Sequence, residues 1–207
     1  MLGRTPFAPF PITWPTPDRR DPATSKALAV GPAPSVVIWF TGLSGAGKTT
    51  ISTWVARAVE ARGVAVEFLD GDRLRALVPQ VGFSKADRDA HVRRVGLAAS
   101  RLERANITVI AAFISPYRES REFVRRACQN FFEIHVATPL AECERRDVKG
   151  LYARARRGEI TQFTGIDDPY EPPVAADLVL DTTGLTVEGA GTRVLQLVSQ
   201  RLRRQWP

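Results

Sequence analysis

The sequence predicts an α/β domain built on a parallel sheet with helices on both faces. Three observations carry that expectation. Short apolar runs alternate with longer segments of helical period from Ser35 onward. The runs are nearly continuous in apolar residues, as in strands covered on both sides. A glycine-rich stretch, "GLSGAGKT", separates the first run from the first helical segment, as in the P-loop NTPase fold.

Taken in order, "SVVIWF" is a buried strand that ends before Gly42. "KTTISTWVARAVEARG" spaces its apolar residues as a helix and closes on Gly63, a residue suited to a C-cap. "VAVEFLD" is a second strand. "SKADRDAHVRRVGLAASRLERAN" opens on Ser84 and Asp87 at capping-box spacing, with an apolar stripe at Val92, Val95, Ala99 and Leu102. "ITVIAAF" is a third strand, "YRESREFVRRACQ" a helix and "FFEIHVA" a fourth strand. "PLAECERRD" is a helix with proline at its start, and "ADLVLDT" a fifth strand. "TVEGAGTRVLQLVSQRLRR" closes the chain as a helix weakened early by Gly189 and Gly191.

Residues 1–34 are rich in proline and lack an apolar period, which predicts a flexible tail ahead of a domain spanning 35–207. Two cysteines, Cys128 and Cys143, make no disulfide framework, and no apolar run is long enough to cross a bilayer. A cytoplasmic protein is expected. The net charge of +7 raises nucleic acid as a partner. The arginines, however, are interleaved with acids along the chain, and only "RLRRQWP" resembles a basic tail. An anionic small substrate fits better than nucleic acid or a membrane surface.

"GLSGAGKT" satisfies G-x-x-x-x-G-K-[ST] between a strand and a helix. Gly42, Ser44, Gly45, Ala46, Gly47, Lys48, Thr49 and Thr50 are therefore expected to bind a nucleoside triphosphate, as in a GTPase switch, a motor or a small-molecule kinase. Glycines let backbone amides wrap phosphate oxygens, and the helix N-terminus adds its positive end. Lys48 reaches the β- and γ-phosphates, and the Thr49 hydroxyl faces Mg²⁺. No "NKxD" guanine motif is present.

The second strand ends in "FLDGDRLR". One of Asp70 and Asp72 can orient the Mg²⁺ shell while another takes the proton of an attacking hydroxyl; Asp72 can also serve only as a helix cap. Arg88, Arg93 and Arg94 follow on one helix, and Arg94 reads best as part of a solvated face. Phe83 is either a hydrophobic staple or a stacking platform. "FISPYR" brings Ser115 and Arg118 to the rim at the end of the third strand. "GEITQFTGIDDPYEPP" has two Gly, three Pro and four carboxylates with no regular period, the profile of a functional loop.

Together "GLSGAGKTT", "LDGDRLR", "GFSKADRDAHVRRVG", "FISPYR", "CERRDVKGLYARARRGEI" and "FTGIDDPYE" resemble the adenylyl-sulfate kinase family, in that family's order, from about Val36 to about Thr183. The resemblance implies phosphorylation of the 3′-hydroxyl of adenylyl sulfate by ATP and Mg²⁺, giving 3′-phosphoadenylyl sulfate and ADP in sulfate activation. It implies that Phe83 and Phe163 stack on the acceptor adenine, and that Arg75, Arg88 and Lys149 hold its anionic and ribose parts. Asp70, His91 and Ser115 join them as acceptor-site residues. Asp72 matches the carboxylate near metal and acceptor hydroxyl, so Lys48, Asp72 and Ser115 form the catalytic set and Thr49 and Asp72 the metal set. Ser115 is expected to donate a hydrogen bond, with a phosphoserine intermediate as the alternative. The resemblance further implies a mobile lid at about 147–173 and a homodimer, although no interface is legible.

Two departures stand out. His91 occupies a position where the family reads Asn, and "TQFTG" lacks the Lys that often precedes this element. Three other readings compete: a related kinase with another nucleotide-linked anion as acceptor, a non-catalytic protein that keeps the fold, and a nucleic-acid binder. Intact Lys48, Thr49 and Asp72 argue against the second.

Overall fold

The computed structural model describes residues 34–71, 74, 82 and 84–202. The tail through residue 33 and three of the expected site residues, Asp72, Arg75 and Phe83, lie outside the described residues.

Five strands form one parallel sheet: β1 (Val37–Thr41), β2 (Val66–Asp70), β3 (Thr108–Ala112), β4 (Phe131–Val136) and β5 (Leu178–Leu180). Their order is β2-β3-β1-β4-β5. Val37 pairs with Val109 on one side and Phe131 on the other, which centres β1. Alternation of side chains along each strand divides the core in two. Ile38, Phe40, Ile110, Ala112, Ile134 and Val136 face one layer; Val37, Trp39, Val109 and Ala111 face the other.

Helices α1 (Lys48–Glu60) and α6 (Val187–Arg201) supply apolar residues to the first layer, among them Ile51, Val55, Val59, Val194 and Val198. Helices α2 (Lys85–Arg104) and α3 (Arg118–Ala127) supply Val92, Val95, Ala99 and Val124 to the second. The expected cap of α2 is present, with the Ser84 hydroxyl accepting from the Asp87 amide.

The glycines of α6 have a packing reason. A Cβ at Gly191 would lie 2.1 Å from Trp54 Cε3, so glycine admits the indole of α1. Gly189 donates its amide to the Thr186 hydroxyl, which caps the helix. Two short helices follow β4: α4 (Leu140–Arg146), as expected, and α5 (Leu151–Arg156) inside the stretch read as a mobile lid. The Asp147 carboxylate nucleates α5 by accepting from the amides of Tyr152 (3.0 Å) and Ala153 (2.9 Å). Those amides, Ala153 first, draw the Asp147 carboxyl below its ordinary range.

The strand order reverses direction at β1, with β3 and β4 on its two sides. The crevice beyond the carboxyl ends of these strands is where ligands gather on such sheets.

Candidate active site

The loop between β1 and α1 is built for close approach. Gly42 has φ of 148°, and a Cβ there would lie 2.4 Å from the Val136 carbonyl oxygen. Gly47, at φ of 100°, leads into α1. No side chain caps α1, and its first turn carries no acid, so its positive end is open to an anion. Protein groups hold the loop from behind. Ala46 O accepts from Thr138 Oγ1 (2.9 Å) and Thr182 Oγ1 (3.1 Å), and Arg146 Nη1 donates to Thr182 Oγ1 (2.8 Å). Ser44 O accepts from Tyr152 Oη at 2.9 Å.

Lys48 Nζ donates to the Leu43 carbonyl at 2.7 Å and is largely buried. Thr49 Oγ1 donates to Asp70 Oδ2 at 2.9 Å, while Thr50 is exposed beside it. Asp70, expected among the acceptor-site residues, thus stands beside the hydroxyl expected to face the metal. A hydroxyl and a carboxylate are hard oxygen donors and suit Mg²⁺. Among the described residues no group of three or more His, Cys, Asp or Glu is placed to hold a metal ion.

Across the crevice, Arg88 is buried beneath the segment read as the lid. Its guanidinium donates to Thr164 Oγ1, to the Gln162 carbonyl and to Asp168 Oδ2, the last at 3.2 Å. Tyr117 Oη donates to the same Asp168 oxygen at 2.8 Å. Burial first, and then this carboxylate, push the Tyr117 phenol up to about 12. The Asp167 carboxylate folds the turn by accepting from the amides of Gln162 and Phe163. Gly165, at φ of 96°, sits against Leu43 of the phosphate loop, where a Cβ would approach Leu43 Cδ2 to 2.9 Å.

Phe163 is half-buried and meets Tyr152 edge to face, with ring centroids 5.0 Å apart. Tyr152 is therefore bonded to the phosphate loop through its hydroxyl and packed through its ring on Phe163, in the segment read as the lid. Lys149 is exposed between α4 and α5. His91 is buried and meets Phe113 edge-on at 5.9 Å.

Ser115 departs from its expected setting. It is 2% exposed, with φ of 38°, and its hydroxyl accepts from Trp39 Nε1 (3.1 Å) while donating to Thr41 Oγ1 (2.9 Å). It faces the interior instead of the rim because the turn after β3 directs its side chain under β1. In this position it holds the β3–α3 turn to the end of β1.

The adenylylsulphate kinase family profile matches residues 34–181. The chain belongs to that family. It is 51% identical over 169 residues to the adenylyl-sulfate kinase of Synechococcus sp. (strain JA-3-3Ab), an alignment covering 81% of this chain and 94% of the relative. It is 48% identical over 167 residues to that of Halothermothrix orenii, covering 80% and 90%. The Mycobacterium tuberculosis APS kinase CysC, solved in complex with AMPPNP and APS, superposes with a TM-score of 0.77 at 42% identity, over 81% of this chain and 99% of that one. A Janibacter sugar kinase at 19% identity and a TM-score of 0.54 shares the fold alone.

Sequence reasoning missed Tyr152, Thr138, Thr182 and Arg146. Tyr152 lay within the quoted "KGLY", but only the fold shows that its hydroxyl reaches Ser44. Among the described residues no helix is long and apolar enough to cross a membrane, and both cysteines are free.

Proposed function

We propose that the protein transfers the γ-phosphoryl group of ATP to the 3′-hydroxyl of adenylyl sulfate, giving 3′-phosphoadenylyl sulfate and ADP. The observation that carries the reading is the junction of phosphate loop and lid. Tyr152 bonds the Ser44 carbonyl and packs on Phe163, while Gly165 rests on Leu43. An acceptor gripped by Phe163 and Arg88 would then lie next to a nucleotide held at Gly42–Thr50. Family membership and the activities of its named relatives point the same way.

In this reading the loop amides and the α1 N-terminus bind the β- and γ-phosphates, and Lys48 leaves the Leu43 carbonyl for a phosphate oxygen. Thr49, Asp70 and Asp72 would hold Mg²⁺. When bound, that ion neutralises charge on the transferring group. Asp72 accepts the proton of the 3′-hydroxyl as that oxygen attacks phosphorus in line and ADP leaves. Phe83 and Phe163 stack the acceptor adenine; Arg75, Arg88 and Lys149 bind its phosphosulfate and ribose; His91 takes a hydrogen-bonding role. Residues 147–173 form the cover that excludes water during transfer. The catalytic unit is the domain from residue 35, and it works as a homodimer, which sedimentation velocity checks.

The deciding test is an ATP-consumption assay with purified protein, adenylyl sulfate and Mg²⁺, read by separation of nucleotides. ADP and the 3′-phosphorylated product should appear in equal amounts. ADP formation that ignores adenylyl sulfate, or responds only to another nucleotide-linked anion, would replace this reading.

A further inference from the structure

Arg121, in the first half of α3, is 2% exposed and makes three directed contacts. Nε donates to Glu133 Oε1 on β4 at 2.8 Å. Nη1 donates to the Ser115 carbonyl at 2.6 Å, and Nη2 to the Glu171 carbonyl at 2.6 Å. Its Cζ lies 5.7 Å from the Tyr170 ring centroid. A buried ion pair accounts for the first contact only. The other two join main-chain carbonyls of segments far apart in sequence: the turn after β3 and the far end of the lid.

The same joint reaches the phosphate loop. Tyr170 Oη lies 3.0 Å from Oγ1 of Thr41, the residue before Gly42. The Ser115 hydroxyl donates to that same Thr41 oxygen. The Glu171 amide donates to the Pro116 carbonyl at 2.9 Å, and the Glu171 carboxylate accepts from the Arg118 amide at 2.8 Å. Tyr170 also stacks on His135, with centroids 5.7 Å apart.

We propose that Arg121 is a positioning residue. Its planar fork fixes where the lid returns to the sheet relative to the start of the phosphate loop. That anchor sets the reach of the segment carrying Phe163, Thr164 and Asp168 over the acceptor. The inference rests on the reading of residues 147–173 as a cover for the acceptor. Lysine cannot substitute, because one ammonium on a flexible stem can neutralise Glu133 but does not span two carbonyls in a fixed plane. Small misplacement of a positioning group is costly to a reacting geometry.

The test compares Arg121→Lys with Glu133→Gln. Arg121→Lys should raise KM for adenylyl sulfate roughly tenfold or more, while Kd for a non-hydrolysable ATP analogue changes less than about twofold. Amide hydrogen exchange across residues 162–171 should quicken, with exchange in α1 unchanged. Glu133→Gln keeps an oxygen for Nε and removes the countercharge; it should lower Tm and leave acceptor KM within about twofold. If both variants lower Tm and neither moves acceptor KM, Arg121 is only half of a buried ion pair and the proposal falls.

Should the wild type fail to phosphorylate adenylyl sulfate, the functional reading falls, but the exchange measurement still tests the joint. Unchanged protection at residues 162–171 in Arg121→Lys would then overturn it. If Arg121→Lys does not fold, Tyr170→Phe, which deletes the bond to Thr41, answers in its place. Faster exchange at 162–171 supports the joint, and unchanged exchange refutes it.

Discussion

Lys48 rests with its amine 2.7 Å from the Leu43 carbonyl, so a cationic group sits against the loop. A phosphate oxygen offers a full charge where the carbonyl offers a partial one, and the lysine is expected to exchange partners when nucleotide binds. Because its contact strengthens as charge gathers on the transferring phosphoryl group, Lys48→Ala should lower kcat about 10²–10³-fold, measured at saturating ATP and acceptor. Turnover near wild type would remove the assignment. Ser115 behaves differently. Its hydroxyl is committed to Trp39 and Thr41 inside the protein, which favours direct transfer over a phosphoserine. Ser115→Ala leaves the Trp39 indole N–H without this acceptor, so a loss of about 1–3 kcal/mol in unfolding free energy is expected, with phosphoryl transfer retained. Denaturant unfolding and steady-state rates on the same variant separate the two effects. A folded but inactive Ser115→Ala protein, with phosphoserine trapped on the wild type, would restore the covalent route.

At the scale of elements, α1 and α6 meet through Trp54 and Gly191, and the fit leaves no room for a methyl group. On helix propensity alone Gly191→Ala would gain about 1 kcal/mol. Overpacking against the indole costs about 1–3 kcal/mol and should win, because the Trp54 ring is held by the neighbouring core. Tm should therefore fall, and a rise would mean the indole swings aside freely. The same pair shows what a sequence conceals. The two glycines read as a weak point in α6, whereas one admits Trp54 and the other donates to the cap. The strands were legible because each is a short apolar run bounded by turn residues, and the phosphate loop because its spacing is local. Helix α5 was not, since six residues show less than two full turns of period and its N-terminal contacts come from Asp147, a residue read as part of the lid. Arg121 stayed hidden for a related reason: its carbonyl partners become neighbours only once β3, α3 and the segment around Glu171 are assembled.

Across the whole molecule, the joint around Arg121 and Tyr170 gives the fold a pH window of stability. His135 lies against Tyr170 with Arg121 nearby; burial, then the Arg121 charge, pull its pKa below 6.5. The unfolded chain therefore binds a proton at His135 more readily than the folded chain does. Stability contributed by this residue is present above about pH 6.5 and is lost as pH falls below it. On the alkaline side the sign reverses. Burial raises the Tyr170 phenol from 10.0 to about 12, and burial with Asp168 raises Tyr117 equally far. The unfolded chain releases these protons first, so their contribution is complete below about pH 10 and is lost as pH rises through about 12. Urea midpoints measured from about pH 5 to pH 11 should thus form a plateau that drops on both sides. His135→Phe keeps an aromatic ring against Tyr170 and removes the titration. It should flatten the drop between about pH 6.5 and pH 5 while leaving the alkaline limb in place. The carboxylates held low by amides or arginines, such as Asp147 and Glu142, act at lower pH and do not blur this comparison. A wild-type midpoint that stays level from pH 7 to pH 5, or a drop there that His135→Phe does not flatten, would show that His135 does not set the acid edge.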